Sequence, residues 1–291
     1  METTELLKKV RKIEIKTRGL SQHIFSGEYH SVFKGRGMSF SEVREYQFGD
    51  DIRSIDWNVT ARFNHPYVKI FEEERELTVM LLVDVSQSSF FGTVKQMKNE
   101  MITEICAVLS FSAINNNDKV GIIFFSDKIE KFIPPKKGKS HILRIIRELL
   151  DFHPEGNGTN IREALRYLTN VMKKRSILFL LSDFMGGNYE DALRIAAKKH
   201  DVIGLHIVDK RETELPNVGL ARVFDAETNQ VMWLDTSKSK VRNIYKKFYE
   251  ENYQYFITTF LKSGADTISI KTDENYVNSL IKFFRKRGKR R

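Results

Sequence analysis

The sequence predicts an α/β fold: a doubly wound, mostly parallel sheet with a small, partly β N-terminal annex and a C-terminal helix. Three observations predict it. Short, continuously apolar runs recur from Leu77 onward, as strands buried on both faces require. Between them, apolar residues step by three or four, the period of a helix face. The first 75 residues lack this alternation and are rich in turns, aromatics and charge.

Taken in order, "TVMLLVDV" reads as the first strand of the sheet. Val94, Met97, Met101, Ile105, Val108 and Ser112 then mark one face of a helix. "KVGIIFF" is the next strand, and "KIEKFIP" a short antiparallel neighbour. Ile142, Ile146 and Leu149 mark a second helix, and Ile161, Leu165, Leu168 and Met172 a third. The third opens on "NIRE", with Asn160 and Glu163 at capping-box spacing. "SILFLLSD", "YEDALRIAAKK" and "DVIGLHIVD" read as strand, helix and strand. "VFDAETNQVMWLD" breaks the alternation and reads as a hairpin turning at "AETNQ". A long helix follows around Val241, Ile244, Phe248, Tyr255 and Phe260. "DTISIKT" is a last strand, and Val277, Leu280, Ile281 and Phe284 a closing helix. The annex begins with an amphipathic helix on Leu6, Leu7, Val10 and Ile13. The expected boundaries are 1–75 for helix and annex, 76–272 for the sheet domain, and 273–291 for the closing helix and basic tail.

At 291 residues the chain can bury a sizeable core. The N-terminus lacks an apolar signal core, and no apolar run approaches the ~18 residues of a membrane span. The expectation is a soluble, cytoplasmic protein. The single cysteine, Cys106, sits in a helical pattern as a core residue. The net charge is +10, yet the last ten residues, "KFFRKRGKRR", hold seven basic groups; without them it falls to +3. A fold-wide nucleic-acid face is therefore not expected. The tail reads as a solvated end, with RNA or an anionic membrane surface as the functional alternative.

Chemistry concentrates where strands end. In open α/β sheets, ligands bind beyond the carboxyl ends of the strands. "DVSQS" places Asp84, Ser86 and Ser88 there, "FLLSDF" places Asp183 there, and Thr159 lies in "GNGTN" before a helix. Two carboxylates and three hydroxyls suit a small hard cation such as Mg²⁺, which favours oxygen ligands and retains waters. A strand-end Asp also caps helices, and Ser and Thr bind loops, so each residue alone has an ordinary structural reading.

Together, "DVSQS", Thr159 and Asp183 resemble the metal-ion-dependent adhesion site of von Willebrand factor type A domains, whose sheet is Rossmann-like. The resemblance implies that Asp84, Ser86, Ser88, Thr159 and Asp183 hold one Mg²⁺ or Mn²⁺. It implies that a carboxylate from a protein partner completes the shell. In the annex, "GRGMSFSEVREYQFGDDIRSIDWNVTAR" resembles a bacterial domain-of-unknown-function family, numbered fifty-eight, which carries such a domain. Members of that family are commonly encoded beside MoxR-type AAA+ ATPases, which implies such an ATPase as partner. The role implied is a non-enzymatic adaptor in complex assembly or maturation. Peripheral membrane association is the alternative for the tail.

Within the annex, Asp50, Asp51, Arg53, Asp56 and Arg62, with Arg44, gather charge around Trp57. They read as a structural clasp or as a partner-docking surface. "EEERE" at Glu72–Glu76 reads as a solvated strand edge or turn, and alternatively as an acid offered to a neighbouring molecule's metal. Enzyme motifs fail residue by residue. "KKGKS" lacks the P-loop's first glycine, which would stand at Ile133. No G-x-S-x-G elbow occurs. A haloacid-dehalogenase-type phosphatase needs an Asp where the chain has Ser86. The seven histidines show no ligand spacing. A metal-dependent phosphoesterase is the enzymatic alternative.

Overall fold

The computed structural model describes residues 8, 10–14, 16–17, 38–73, 76–90, 97–156, 158–224 and 231–289. The chain divides into two compact units, Phe33–Leu77 and Met1–Val32 with Thr78–Arg291. The N-terminal helical residues thus group with the later part of the chain. There Val10 and Ile13 are buried, and Lys16 bonds Glu104 at 2.6 Å. Leu6 and Leu7, and the hairpin turn "AETNQ", lie outside the described residues.

In the smaller unit, β1 (Met38–Glu45) pairs antiparallel with β2 (Tyr67–Glu73). Between them lie a 3₁₀ turn (Ile52–Ser54) and the short helix α1 (Trp57–Phe63). Asp51 caps the turn by accepting from the Arg53 amide, and Asp56 caps α1 by accepting from Asn58 and Val59.

The larger unit is built on a six-stranded sheet. Its strands are β3 (Thr78–Asp84), β4 (Lys119–Phe125), β5 (Ile129–Lys136), β6 (Ile177–Ser182), β7 (Asp201–Val208) and, later in the chain, β10 (Asp266–Lys271). The order across the sheet is β10-β7-β6-β3-β4-β5. All pairs are parallel except β4–β5. Every residue of β6 is buried, and all but the first of β3 and β4. That explains runs without polar alternation: both sheet faces are covered. At the β5 edge, Pro134 and Pro135 fall in an irregularity of the pairing with β4.

The crossovers are helices: α2 (Lys98–Asn115), α3 (Lys139–Asp151), α4 (Ile161–Val171) and α5 (Glu190–Lys199). Asn160 caps α4 by accepting from the Glu163 amide, one half of the capping box expected from "NIRE"; its own amide donates to the Ser126 carbonyl instead. One face of the sheet packs Met80, Leu82, Leu178 and Leu180 against Ile161, Leu165 and Leu168 of α4 and Leu193 of α5. Phe256 and Phe260 join this cluster from α7 (Ser239–Lys262). The alternating residues Val79, Leu81, Val83, Phe179 and Leu181 are equally buried on the other face. After β7 come the one-turn helix α6 (Lys210–Thr213) and the hairpin β8 (Leu220–Phe224) with β9 (Val231–Asp235). The chain closes with α8 (Tyr276–Gly288). Cys106 is buried in α2, where burial pushes its thiol pKa up.

One expected helix start is corrected. α2 begins at Lys98, with Met97 at the N-cap and 47% exposed, and it is buried on all sides from Met101 to Ala113 rather than along the one expected face; Val94 lies outside the described residues.

Candidate metal centre

The site forms where progress across the sheet reverses. From β3 the chain moves outward through β4 and β5, then returns to build β6 on β3's other side. The connections after β3 and β6 thus run in opposite directions across the sheet, the arrangement at which open α/β sheets place ligands.

Asp84, the last residue of β3, is 1% exposed. Its Oδ1 accepts from the Ser86 amide at 3.0 Å, and its Oδ2 from the Ser182 hydroxyl at 2.6 Å. These bonds fix the carboxylate's orientation. The Ser86 and Ser88 hydroxyls lie 3.1 Å apart. The Thr159 hydroxyl stands 3.0 Å from Ser86 Oγ and 3.3 Å from Asp84 Oδ2. Thr159 is held there because the next amide, Asn160, donates to the Ser126 carbonyl at the end of β4. A Cβ on Gly156 in the same loop would meet Asp127 Oδ1 and Ser126 Oγ, and those side chains would have to turn aside to admit it.

Asp183 follows β6, near enough to Asp84 that each carboxylate feels the other's charge. Its Oδ1 accepts from the Met185 amide. Phe184 turns the chain with a left-handed backbone, φ 54°. That conformation is costly for a bulky residue. Its ring is buried against Phe256 at 4.2 Å and Phe260 at 5.4 Å, which holds the turn in place.

All five residues named from sequence thus meet at one sheet edge. Sequence reasoning missed two charged neighbours. Lys98, 2% exposed, donates from Nζ to Asp183 Oδ2 at 3.1 Å and to Glu212 Oε1 at 2.7 Å. The one sign in the sequence is position: Lys98 opens a helix buried on all sides from Met101 to Ala113. A cation there needs a buried partner. Ser182, the third neighbour, had no separate signal within "SILFLLSD".

The charges act on one another. Burial, then the nearby Asp183 charge, pushes the Asp84 carboxyl up to about 6. Asp183 is held below the usual carboxylate range: burial opposes this, and the Lys98 ammonium outweighs it. Lys98 itself stays protonated, its two carboxylates overcoming burial. Burial raises Glu212.

The donor set fits a small divalent ion. Neighbouring ligands on an octahedron with ~2.1 Å bonds are about 3.0 Å apart. The hydroxyl contacts among Ser86, Ser88 and Thr159 are 3.0 and 3.1 Å. The site is not a cluster of three His, Cys, Asp or Glu side chains, and none occurs among the described residues. Three of its five side chains are hydroxyls.

The annex residues form less of a cluster than expected. Arg44 grips Asp50 with bonds of 2.6 and 2.8 Å, and Asp56 meets Lys69 at 3.5 Å. Asp51 and Asp56 serve as caps, and Arg53, Trp57 and Arg62 are exposed. Trp57 is 68% exposed and makes no ion-pair contact of its own. Of "EEERE", residues 74 and 75 lie outside the described residues.

A family model described as "Protein of unknown function DUF58" matches residues 42–255. The uncharacterized protein Rv1480 of Mycobacterium tuberculosis is 27% identical over 293 aligned positions, covering 99% of this chain and 92% of that one. YeaD of Bacillus subtilis, also uncharacterized, is 27% identical over 39% of this chain and 26% of its own length. Among solved structures, the conserved hypothetical protein BatB of Bacteroides thetaiotaomicron is similar. It is 17% identical, covering 73% of this chain and 99% of that one, with a TM-score of 0.48. With the family model spanning well over half of its length, the chain belongs to the DUF58 family.

Proposed function

We propose that the chain is a non-enzymatic, metal-dependent protein-binding module. Asp84, Ser86, Ser88, Thr159 and Asp183 would hold one Mg²⁺ or Mn²⁺, and the ion would supply a Lewis-acidic position open to a partner's carboxylate. The observation that carries the reading is the hydroxyl triad of Ser86, Ser88 and Thr159, spaced at 3.0 and 3.1 Å beside buried Asp84. The strand order, reversing between β3 and β6, supports a doubly wound sheet like that of von Willebrand factor type A domains.

The chain's own residues prepare the site. Ser182 orients Asp84, and the Phe184 turn aims Asp183. Two carboxylates balance the ion's charge and the other ligands are neutral, so a loaded site does not repel an acidic partner. By the resemblance, that partner is a MoxR-type ATPase or a protein it acts on, met in the cytoplasm.

The test is Mn²⁺ titration of the full chain followed by electron paramagnetic resonance. One ion per chain is expected, lost in Thr159→Ala and Ser86→Ala. Partner capture should require Mg²⁺ and disappear with Asp84→Ala. Capture that persists in chelator overturns the proposal, and Mg²⁺-dependent cleavage of a phosphate ester would replace it with a phosphoesterase.

One observation favours a second reading. Lys282, Arg285, Lys286 and Lys289 of α8 and its end line a groove of about 560 Å³ with Asn278 and Ile281. Phosphate groups would suit it. Binding there should weaken steeply with salt.

A further inference from the structure

We propose that Lys98 is the specificity-determining cation of this site, setting its charge so that a bound divalent ion still attracts an acidic partner. The inference rests on the metal reading above. It starts from a buried side chain that the metal reading does not need. Lys98 enters from the first turn of α2, cannot reach solvent, and bridges Asp183 at the end of β6 to Glu212 in α6.

Glu212 is itself pinned. Its Oε2 accepts from the Asp209 amide in a capping box, and Asp209 Oδ2 accepts from Thr272 Oγ1 at 2.7 Å. Lys98 is therefore clamped between two fixed carboxylates, not a mobile surface charge.

The charge count gives the consequence. By formal charge, the carboxylates of Asp84, Asp183 and Glu212 and the ammonium of Lys98 sum to −2. A divalent ion brings that to zero, and an incoming carboxylate meets no net repulsion. Without the ammonium, the loaded cluster would keep a negative charge and oppose an acidic partner, while the empty cluster would draw cations harder. Lys98 thus weakens metal binding and strengthens acid binding. A merely structural tie would do neither: removing it would loosen the site and weaken both.

The opposite signs are the test. The full chain is titrated with Mn²⁺ by electron paramagnetic resonance. Acetate is the carboxylate probe, read from the broadening of its methyl proton signal by bound Mn²⁺. Lys98→Met should bind Mn²⁺ at least about tenfold tighter, the scale on which one nearby charge moves a titrating group. Its acetate broadening should fall severalfold. Glu212→Gln should do the reverse on both readouts. Lys98→Met combined with Glu212→Gln restores the net charge and should return near wild type, and it keeps the test valid if Lys98→Met alone does not fold. Loss of both activities in Lys98→Met, with no recovery in the double variant, overturns the role of Lys98 and leaves the metal reading standing. Absence of Mn²⁺ binding by the wild-type chain overturns both.

Discussion

Replacing Asp84 with asparagine should stabilise the chain in chelator while removing its response to Mg²⁺. The magnitude follows from the site. The Asp84 carboxyl is 1% exposed, and its pKa is raised from 3.8 to about 6 even though Ser182 and Ser86 favour the charged form. Holding that charge in the fold near neutral pH therefore costs about 3 kcal/mol. The sign is that of an acid whose folded pKa is raised. The penalty is absent below 3.8, grows as pH rises toward 6, and is complete above it. The Asp84→Asn side chain would keep an acceptor for the Ser86 amide and carry no charge. At pH 7.5 in chelator the variant's melting temperature should exceed wild type by roughly 5 °C or more, and the gap should close toward pH 4. Adding Mg²⁺ should raise the wild type and leave the variant unmoved. Differential scanning fluorimetry at the two pH values, with and without Mg²⁺, reads all four conditions. An Asp84→Asn chain less stable than wild type in chelator at pH 7.5 would refute the argument that the empty site strains the fold.

Gly204→Ala in β7 would bring a Cβ within 2.5 Å of the Phe260 ring and 2.9 Å of Phe256. Urea unfolding should show a loss of about 1–3 kcal/mol. His200, 1% exposed beside Ser176, has its pKa lowered to about 4 by burial, with Lys199 and Arg175 adding to it. The unfolded chain takes up that proton first, so stability should fall as pH drops from 6.5 toward 4, by up to about 3 kcal/mol. His200→Gln should flatten that slope in denaturant titrations. Arg287, 8% exposed, grips Asp201 at 2.6 Å and Asp266 at 3.2 Å. Arg287→Ala should cost about 3 kcal/mol and speed amide exchange in α8.

The sheet was legible because burial on both faces leaves no polar alternation: "VMLLV" and "LFLL" could hardly be anything else. The antiparallel β5 was legible from its short link to β4, too brief for a crossover helix. The candidate site was legible because its residues sit at strand ends and in one loop, where topology converges. Lys98 was hidden by a different logic. In sequence it is one of many lysines; only the packing of α2 puts it beside Asp183, 85 residues away. The annex misled for the converse reason. Asp51 and Asp56 cap backbone amides two and three residues ahead, a local role that a count of nearby charges does not show, while Asp56 also meets Lys69.

Pro134 and Pro135 on the outermost strand have a consequence for assembly. Neither residue has an amide proton to offer, so an extended segment from another molecule finds gaps in the ladder it would need to join. Growth of the sheet by another strand is disfavoured along that stretch of β5.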